Sequence, residues 1–73
     1  MASVDKIIDK MRRQPNGIRL SEAEKVLNHF GYRLDRQKGS HCHYINGVGD
    51  VITIKSDHPL KAVYVKDILS RIL

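Results

Sequence analysis

The residues best able to do chemistry stand in one uninterrupted string, Arg36-Gln37-Lys38-Gly39-Ser40-His41-Cys42-His43, where cations, flexible backbone and two imidazoles converge. An unperturbed imidazole titrates at about pH 6.5, in the range useful for general acid or base work, and His41 is the candidate for it. Gly39 lets the backbone approach a ligand closely. The N–H groups of a turn at this point can hydrogen-bond phosphate oxygens beside Arg36 and Lys38. A solvated basic hairpin has the same composition, so both readings stand on the string alone.

Other chemistry is less well supported. His41 and His43 fall on one face of a strand, and Asp57 with His58 is a further source of ligands, but a structural zinc site needs four well-placed N or S donors. Strand alternation sends Cys42 away from both histidines, so no metal is expected. The same alternation puts Cys42 in the core, where a free cysteine behaves as a small hydrophobe rather than a nucleophile. His29 reads as a residue of a helix's last turn, favoured there by the dipole, and His58 as a loop residue. Tyr44 and Tyr64 are able to stack on bases, but with only four Phe, Trp and Tyr residues in the chain the core has first claim on them.

These residues need elements to position them. Val4, Ile7, Ile8 and Met11 repeat at i, i+3, i+4, i+7 after Ser3, and Pro15-Asn16-Gly17 stops the run, which predicts a helix over residues 4–13. Ser21 and Glu24 read as an S-x-x-E capping box for a second helix with Ala23, Val26, Leu27 and Phe30 on its buried stripe and Gly31 at its end. From Tyr32 the period becomes two, with Tyr32 and Leu34 alternating with Arg33 and Asp35, before a turn at Lys38-Gly39-Ser40. His41 to Ile45 predicts a second strand, Asn46-Gly47-Val48-Gly49-Asp50 a hairpin connection, and Val51 to Lys55 a third strand. After Ser56-Asp57-His58-Pro59 breaks the pattern, Val65, Ile68, Leu69 and Ile72 restore helical spacing.

The expected fold is therefore α+β in the order α-α-β-β-β-α, a three-stranded antiparallel meander with helices on one face. With Tyr32, Leu34, Cys42, Tyr44, Ile52 and Ile54 inward, Arg33, Asp35, His41, His43, Thr53 and Lys55 share an open, net basic face.

Composition sets the bounds. A chain of 73 residues forms one small domain, which excludes the two-domain architectures of cofactor-dependent enzymes, and no cofactor is expected. At 41% apolar and 29% charged residues, with two prolines and five glycines, it is ordinary globular sequence. The net charge of +5 and a pI of about 9.7 favour a polyanionic or acidic partner. A lone cysteine and the lack of a charged-then-apolar leader ahead of Val4 to Met11 make the cytoplasm the expected compartment. No apolar stretch approaches the roughly 20 residues of a membrane span, so no membrane partner is expected.

Arg36-Gln37-Lys38-Gly39-Ser40-His41, followed by a hairpin, Ile52-Thr53-Ile54, His58-Pro59-Leu60-Lys61 and a closing amphipathic helix, resembles the HicA toxins, mRNA-interferase halves of bacterial type II toxin–antitoxin pairs. The resemblance covers roughly Ser21 to Leu73. It implies a fold like the double-stranded-RNA-binding domain, a catalytic histidine at His41, mRNA as substrate and a HicB-like antitoxin as partner. Members often carry a second histidine directly after the first; here that slot is Cys42, and His43 follows one place later. Residues 1–73 read as one such domain with residues 1–16 a helical extension, its role open between core, oligomer contact and partner interface.

Two functions of different class follow. In the first, the chain is a metal-independent endoribonuclease in which His41 moves a proton as the RNA 2′-hydroxyl attacks phosphorus, with RNA contacts from Arg36, Lys38, Gly39, Ser40, His43 and Lys55. One imidazole is half of an acid–base pair, and His43, Lys38 or water completes it. In the second, the same basic face is a non-catalytic RNA-binding module.

Overall fold

The computed structural model describes residues 3–73. Helix α1 (Val4–Arg13) starts where the Lys6 N–H donates to the Ser3 hydroxyl oxygen at 3.3 Å, and it gives way to a 3₁₀ turn at Pro15–Gly17. Ile7 and Met11, four residues apart and so on one face of the helix, are both buried. They lie in the same apolar cluster as Val26, Ile54 and Ile68, and Val4 and Ile8 pack against it. Of the segment read as an extension, residues 1 and 2 lie outside the described residues; α1 itself contributes side chains to the core.

Helix α2 (Leu20–His29) buries Ala23, Val26 and Leu27. Its start differs from the expectation at Ser21. Arg19 is the capping residue, and the carboxylate of Glu22 accepts the Arg19 N–H at 3.0 Å. Glu22 also receives the Lys10 ammonium of α1 at 3.0 Å, which ties the two helices together. Glu24, expected to complete the box, instead turns toward the sheet and accepts a hydrogen bond from the Tyr44 hydroxyl at 2.6 Å. A tertiary partner thus takes the carboxylate that local spacing had assigned to the cap. The helix ends as expected at Gly31, whose φ of +87° is the left-handed conformation. The Tyr32 N–H reaches the Leu27 carbonyl and the Gly31 N–H reaches the Asn28 carbonyl, the paired bonds of a glycine-terminated helix.

Strands β1 (Arg33–Lys38), β2 (His41–Ile45) and β3 (Val51–Lys55) form one antiparallel sheet in that order, and α3 (Ala62–Ile72) closes the chain. The architecture is α+β in the order α-α-β-β-β-α, as the sequence predicts. Cys42 and Tyr44 of β2 and Ile52 and Ile54 of β3 are buried beneath the sheet with Val65 and Ile68 of α3. Leu60 is fixed ahead of α3 by its N–H, which donates to the Ile18 carbonyl at 2.9 Å. Leu34 departs from the expected pattern: it pairs with the buried Tyr44 yet stays 47% exposed, because β1 is an edge strand uncovered along its whole length.

Cys42 is 2% exposed, and burial, then the Glu24 carboxylate, pushes its thiol up from the ordinary value. Both effects suppress the thiolate, the reactive form. A thiol reagent should therefore label Cys42 in native protein only at the rate of unfolding; rapid stoichiometric labelling would mean that the β2 register is slipped by one residue.

A polar cluster clamps the far end of the sheet to α3. The Tyr32 hydroxyl donates to Asp50 Oδ2 at 2.5 Å, and Arg71 donates through Nη1 to Asp50 Oδ1 at 2.6 Å and through Nε to Asp67 at 3.2 Å. The Tyr32 hydrogen bond and then Arg71 hold the Asp50 carboxyl below its usual range. A carboxylate depressed on folding contributes stability above its unfolded value of about 3.9, and that contribution disappears as pH falls through the lower, folded value. Urea midpoints should accordingly fall between about pH 4.5 and pH 2.5 more steeply in wild type than in Asp50→Asn. Parallel curves would show that the clamp contributes nothing to stability.

Candidate functional site

The open face of the sheet is set by the pairing of its strands. Directly opposed residues of an antiparallel pair share a face. Between Leu34 and Arg36 the register of β1 against β2 shifts by one residue, leaving Asp35 without a partner in a β-bulge. Simple alternation from an inward Leu34 would send Arg36 and Lys38 toward the helices. The bulge reverses this: Arg36 pairs with His43 and Lys38 with His41. Asp35, expected on the basic face opposite β2, is displaced from the ladder, and Arg36 occupies the place across from His43.

Three cross-strand rows result. Lys38, His41 and Lys55 form the row nearest the β1–β2 turn; Arg36, His43 and Thr53 form the middle row; Arg33, Ile45 and Val51 form the last. His41 is exposed and has a lysine on either side. Among the described residues no carboxylate is within ion-pair distance of Arg36, Lys38 or Lys55, whereas Lys10, Arg13 and Arg71 all have acidic partners. The cations on this face are thus left to an external anion.

The turn expected at Lys38-Gly39-Ser40 is one residue shorter, because Lys38 belongs to β1 and only Gly39 and Ser40 connect the strands. Gly39 has φ +59° while Ser40 stays at negative φ, the combination found in a II′-type hairpin. Space around Gly39 is open, so the backbone conformation rather than crowding demands the glycine. The turn is held from behind by the Ser56 N–H, which donates to the Ser40 carbonyl at 2.6 Å, and Gln37 Nε2 caps the Gly39 carbonyl at 3.2 Å.

His43 is half-buried, and its Nδ1 lies 2.9 Å from Thr53 Oγ1 across the β2–β3 pair. This contact was not legible in the sequence. Thr53 was expected on the same face, but only the pairing of His43 with Thr53 shows that the hydroxyl reaches the ring. His58 stands apart: it lines a shallow groove with Gly17, Arg19, Leu20, Ser21 and Pro59, none of which belongs to the three rows. His29 packs edge-on against Phe30 at the end of α2. Among the described residues no three His, Cys, Asp or Glu side chains gather where a metal ion would sit, and no helix is long and apolar enough to cross a membrane.

The face therefore offers an accessible imidazole between two ammonium groups, a second imidazole fixed by a hydroxyl, a guanidinium and a glycine turn. That set suits a phosphodiester. In comparison with known proteins, the model of the family described as HicA toxin of bacterial toxin–antitoxin matches residues 20–72. No curated protein and no solved structure matches the chain.

Proposed function

The chain belongs to the HicA toxin family of bacterial toxin–antitoxin systems, and from that premise we propose that it is an endoribonuclease that cleaves mRNA on the open sheet face. The observation that carries the proposal is the row Lys38, His41, Lys55, in which three strands bring one exposed imidazole between two unpaired cations. His41 takes the proton from the ribose 2′-hydroxyl as that oxygen attacks the adjacent phosphorus. Arg36, Lys38 and Lys55 stabilise the charge gathering on the phosphoryl oxygens, and the N–H groups at Gly39 and Ser40 lie where further phosphate contacts form. His43 lies beside the path of the RNA. The reaction uses no metal, and it takes place in the cytoplasm, where mRNA is found.

A HicB-like antitoxin neutralises the toxin by covering this same surface, from Lys38 to His43 and across the open face. An acidic partner and RNA then compete for one set of cations. Arg36→Glu combined with Lys38→Glu should weaken both associations, chiefly by slowing encounter at low salt. For single-stranded RNA, the loss of two phosphate contacts should reduce the slope of log affinity against log salt by about 1.4. In bacteria the double variant should cease to arrest growth, and wild type should be relieved by the antitoxin gene. An antitoxin complex that left His41 and the turn open to solvent would overturn occlusion, and an unchanged salt slope would remove Arg36 and Lys38 from the RNA contact.

A further inference from the structure

A transesterification needs two proton transfers, one away from the attacking hydroxyl and one toward the departing oxygen, and the open face carries two imidazoles. We propose that His43 is the general acid that protonates the leaving 5′ oxygen, and that Thr53 is the residue that positions it. The inference rests on the reading of this face as a ribonuclease site and supplies the catalytic group that His41 alone leaves missing.

Spacing is the first support. His41 and His43 are two residues apart on β2 and share a face, so they are separated along the strand by about 6.7 Å. In-line displacement puts the attacking and leaving oxygens on opposite sides of phosphorus. Each transfer group must then sit within about 2.6–3.2 Å of its own oxygen, one on either side of the phosphate. Backbone positions about 6.7 Å apart on one face let the two rings flank a single phosphoryl group. Adjacent residues on a strand cannot do this, because they face opposite ways; Cys42 is buried between the two histidines while both imidazoles stay on the outer side.

The second support is the Thr53 contact, Nδ1 to Oγ1 at 2.9 Å. The Thr53 hydroxyl oxygen accepts from Nδ1–H, which the ring carries both as the imidazolium and as the neutral tautomer left once Nε2 has given up its proton. The ring therefore keeps its orientation before and after it gives up a proton, with Nε2 as the nitrogen left for substrate. Thr53 is β-branched and stiff at χ1, which suits a fixed partner. The other neighbours of His43 cannot take this part. Arg36 on β1 only donates, and His41, Lys38 and Lys55 complete the surroundings on the outer face, where no paired residue is acidic. Among the described residues His41 has no comparable partner, which leaves its ring to take the proton.

The step balances without any co-reactant. The bond from the 2′ oxygen to phosphorus forms as the bond from phosphorus to the 5′ oxygen breaks. The 2′-hydroxyl proton goes to His41, and the Nε2 proton of the His43 imidazolium goes to the 5′ oxygen. The products are a 2′,3′-cyclic phosphate and a 5′-hydroxyl, and exchange with water resets both rings.

The test compares two substrates: an RNA oligonucleotide with a mapped cut site, and the same RNA shortened so that the scissile phosphate is a 4-nitrophenyl ester. Nitrophenolate departs without a proton. His43→Gln should slow cleavage of the RNA by about 10²–10⁴-fold, yet cleave the ester within about tenfold of wild type. His41→Ala should be slow on both. The alkaline limb of the wild-type pH profile on RNA, which reports the acid, should be absent in His43→Gln. Thr53→Val should lower kcat on RNA with KM unchanged and weaken the same limb, while Thr53→Ser keeps wild-type behaviour. Matching circular dichroism spectra establish that each variant folds.

His43→Gln cutting RNA at the wild-type rate, or losing equally on both substrates, would overturn the acid assignment and leave the ribonuclease reading standing. Wild type that cuts neither substrate would overturn both.

Discussion

Alanine in place of His41 is expected to lower the rate of RNA cleavage by about 10²–10⁴-fold, or roughly 2.7–5.4 kcal/mol of transition-state stabilisation, with RNA affinity changed far less. The separation between rate and affinity follows from the site. Arg36 and Lys38 on β1 and Lys55 on β3 keep their places without His41, so the electrostatic attraction for phosphate survives. His41 is exposed and lies outside the core, so folding stability should stay within about 0.5 kcal/mol of wild type. A large kinetic loss cannot then be ascribed to unfolding. Expressed in bacteria without its antitoxin, wild type should arrest growth and His41→Ala should not. Equal toxicity of the two would remove His41 from the chemistry. A wild type that binds RNA tightly and never cuts it would favour the alternative of a non-catalytic binding module on the same face.

Charge placement is the reason to expect binding and catalysis to be separable in so small a protein. The acidic residues that do form ion pairs are spent on the framework: Glu22 joins α1 to α2, and Asp50 and Asp67 hold Arg71 against the sheet. Arg36, Lys38 and Lys55, on the sheet face opposite the core, have no such partner among the described residues.

The parts of this arrangement that were legible in the sequence are those governed by local periodicity. Cys42, Tyr44, Ile52 and Ile54 alternate with His41, His43, Thr53 and Lys55 in two strands free of bulges, and each falls on the face that alternation predicts. Gly31 ends α2 because a positive φ is required there. The discrepancies arise where a residue's partner is distant in sequence. Glu24 looks like a capping residue until Tyr44, twenty positions on, claims its carboxylate, and the cap passes to Glu22 and Arg19. The bulge at Asp35 is a property of the β1–β2 pairing and has no signature in the composition of Arg33 to Lys38. Yet it decides that Arg36 and Lys38 face the same way as the histidines. The Thr53 contact to His43 belongs to the same class, visible only once the β2–β3 register is known.

That α1 contributes Ile7 and Met11 to the core was likewise beyond local reading, since an amphipathic stripe shows that a face is buried and not what buries it. The family match begins at residue 20, after α1. In this chain the helix outside the matched region closes the hydrophobic layer that supports the sheet.

The central claim is that the ribose 2′-hydroxyl is the nucleophile and that side chains of the sheet face move its proton. It is tested most directly with an RNA oligonucleotide carrying a single 2′-deoxy residue at the mapped cut site, assayed beside the all-ribose RNA with and without chelator. The all-ribose RNA should be cut in both conditions, leaving a 2′,3′-cyclic phosphate or its hydrolysis product, and the deoxy RNA should resist cleavage at that position while still binding. Normal cutting of the deoxy RNA, lost on adding chelator, would contradict the account, because a metal-activated water needs no neighbouring hydroxyl.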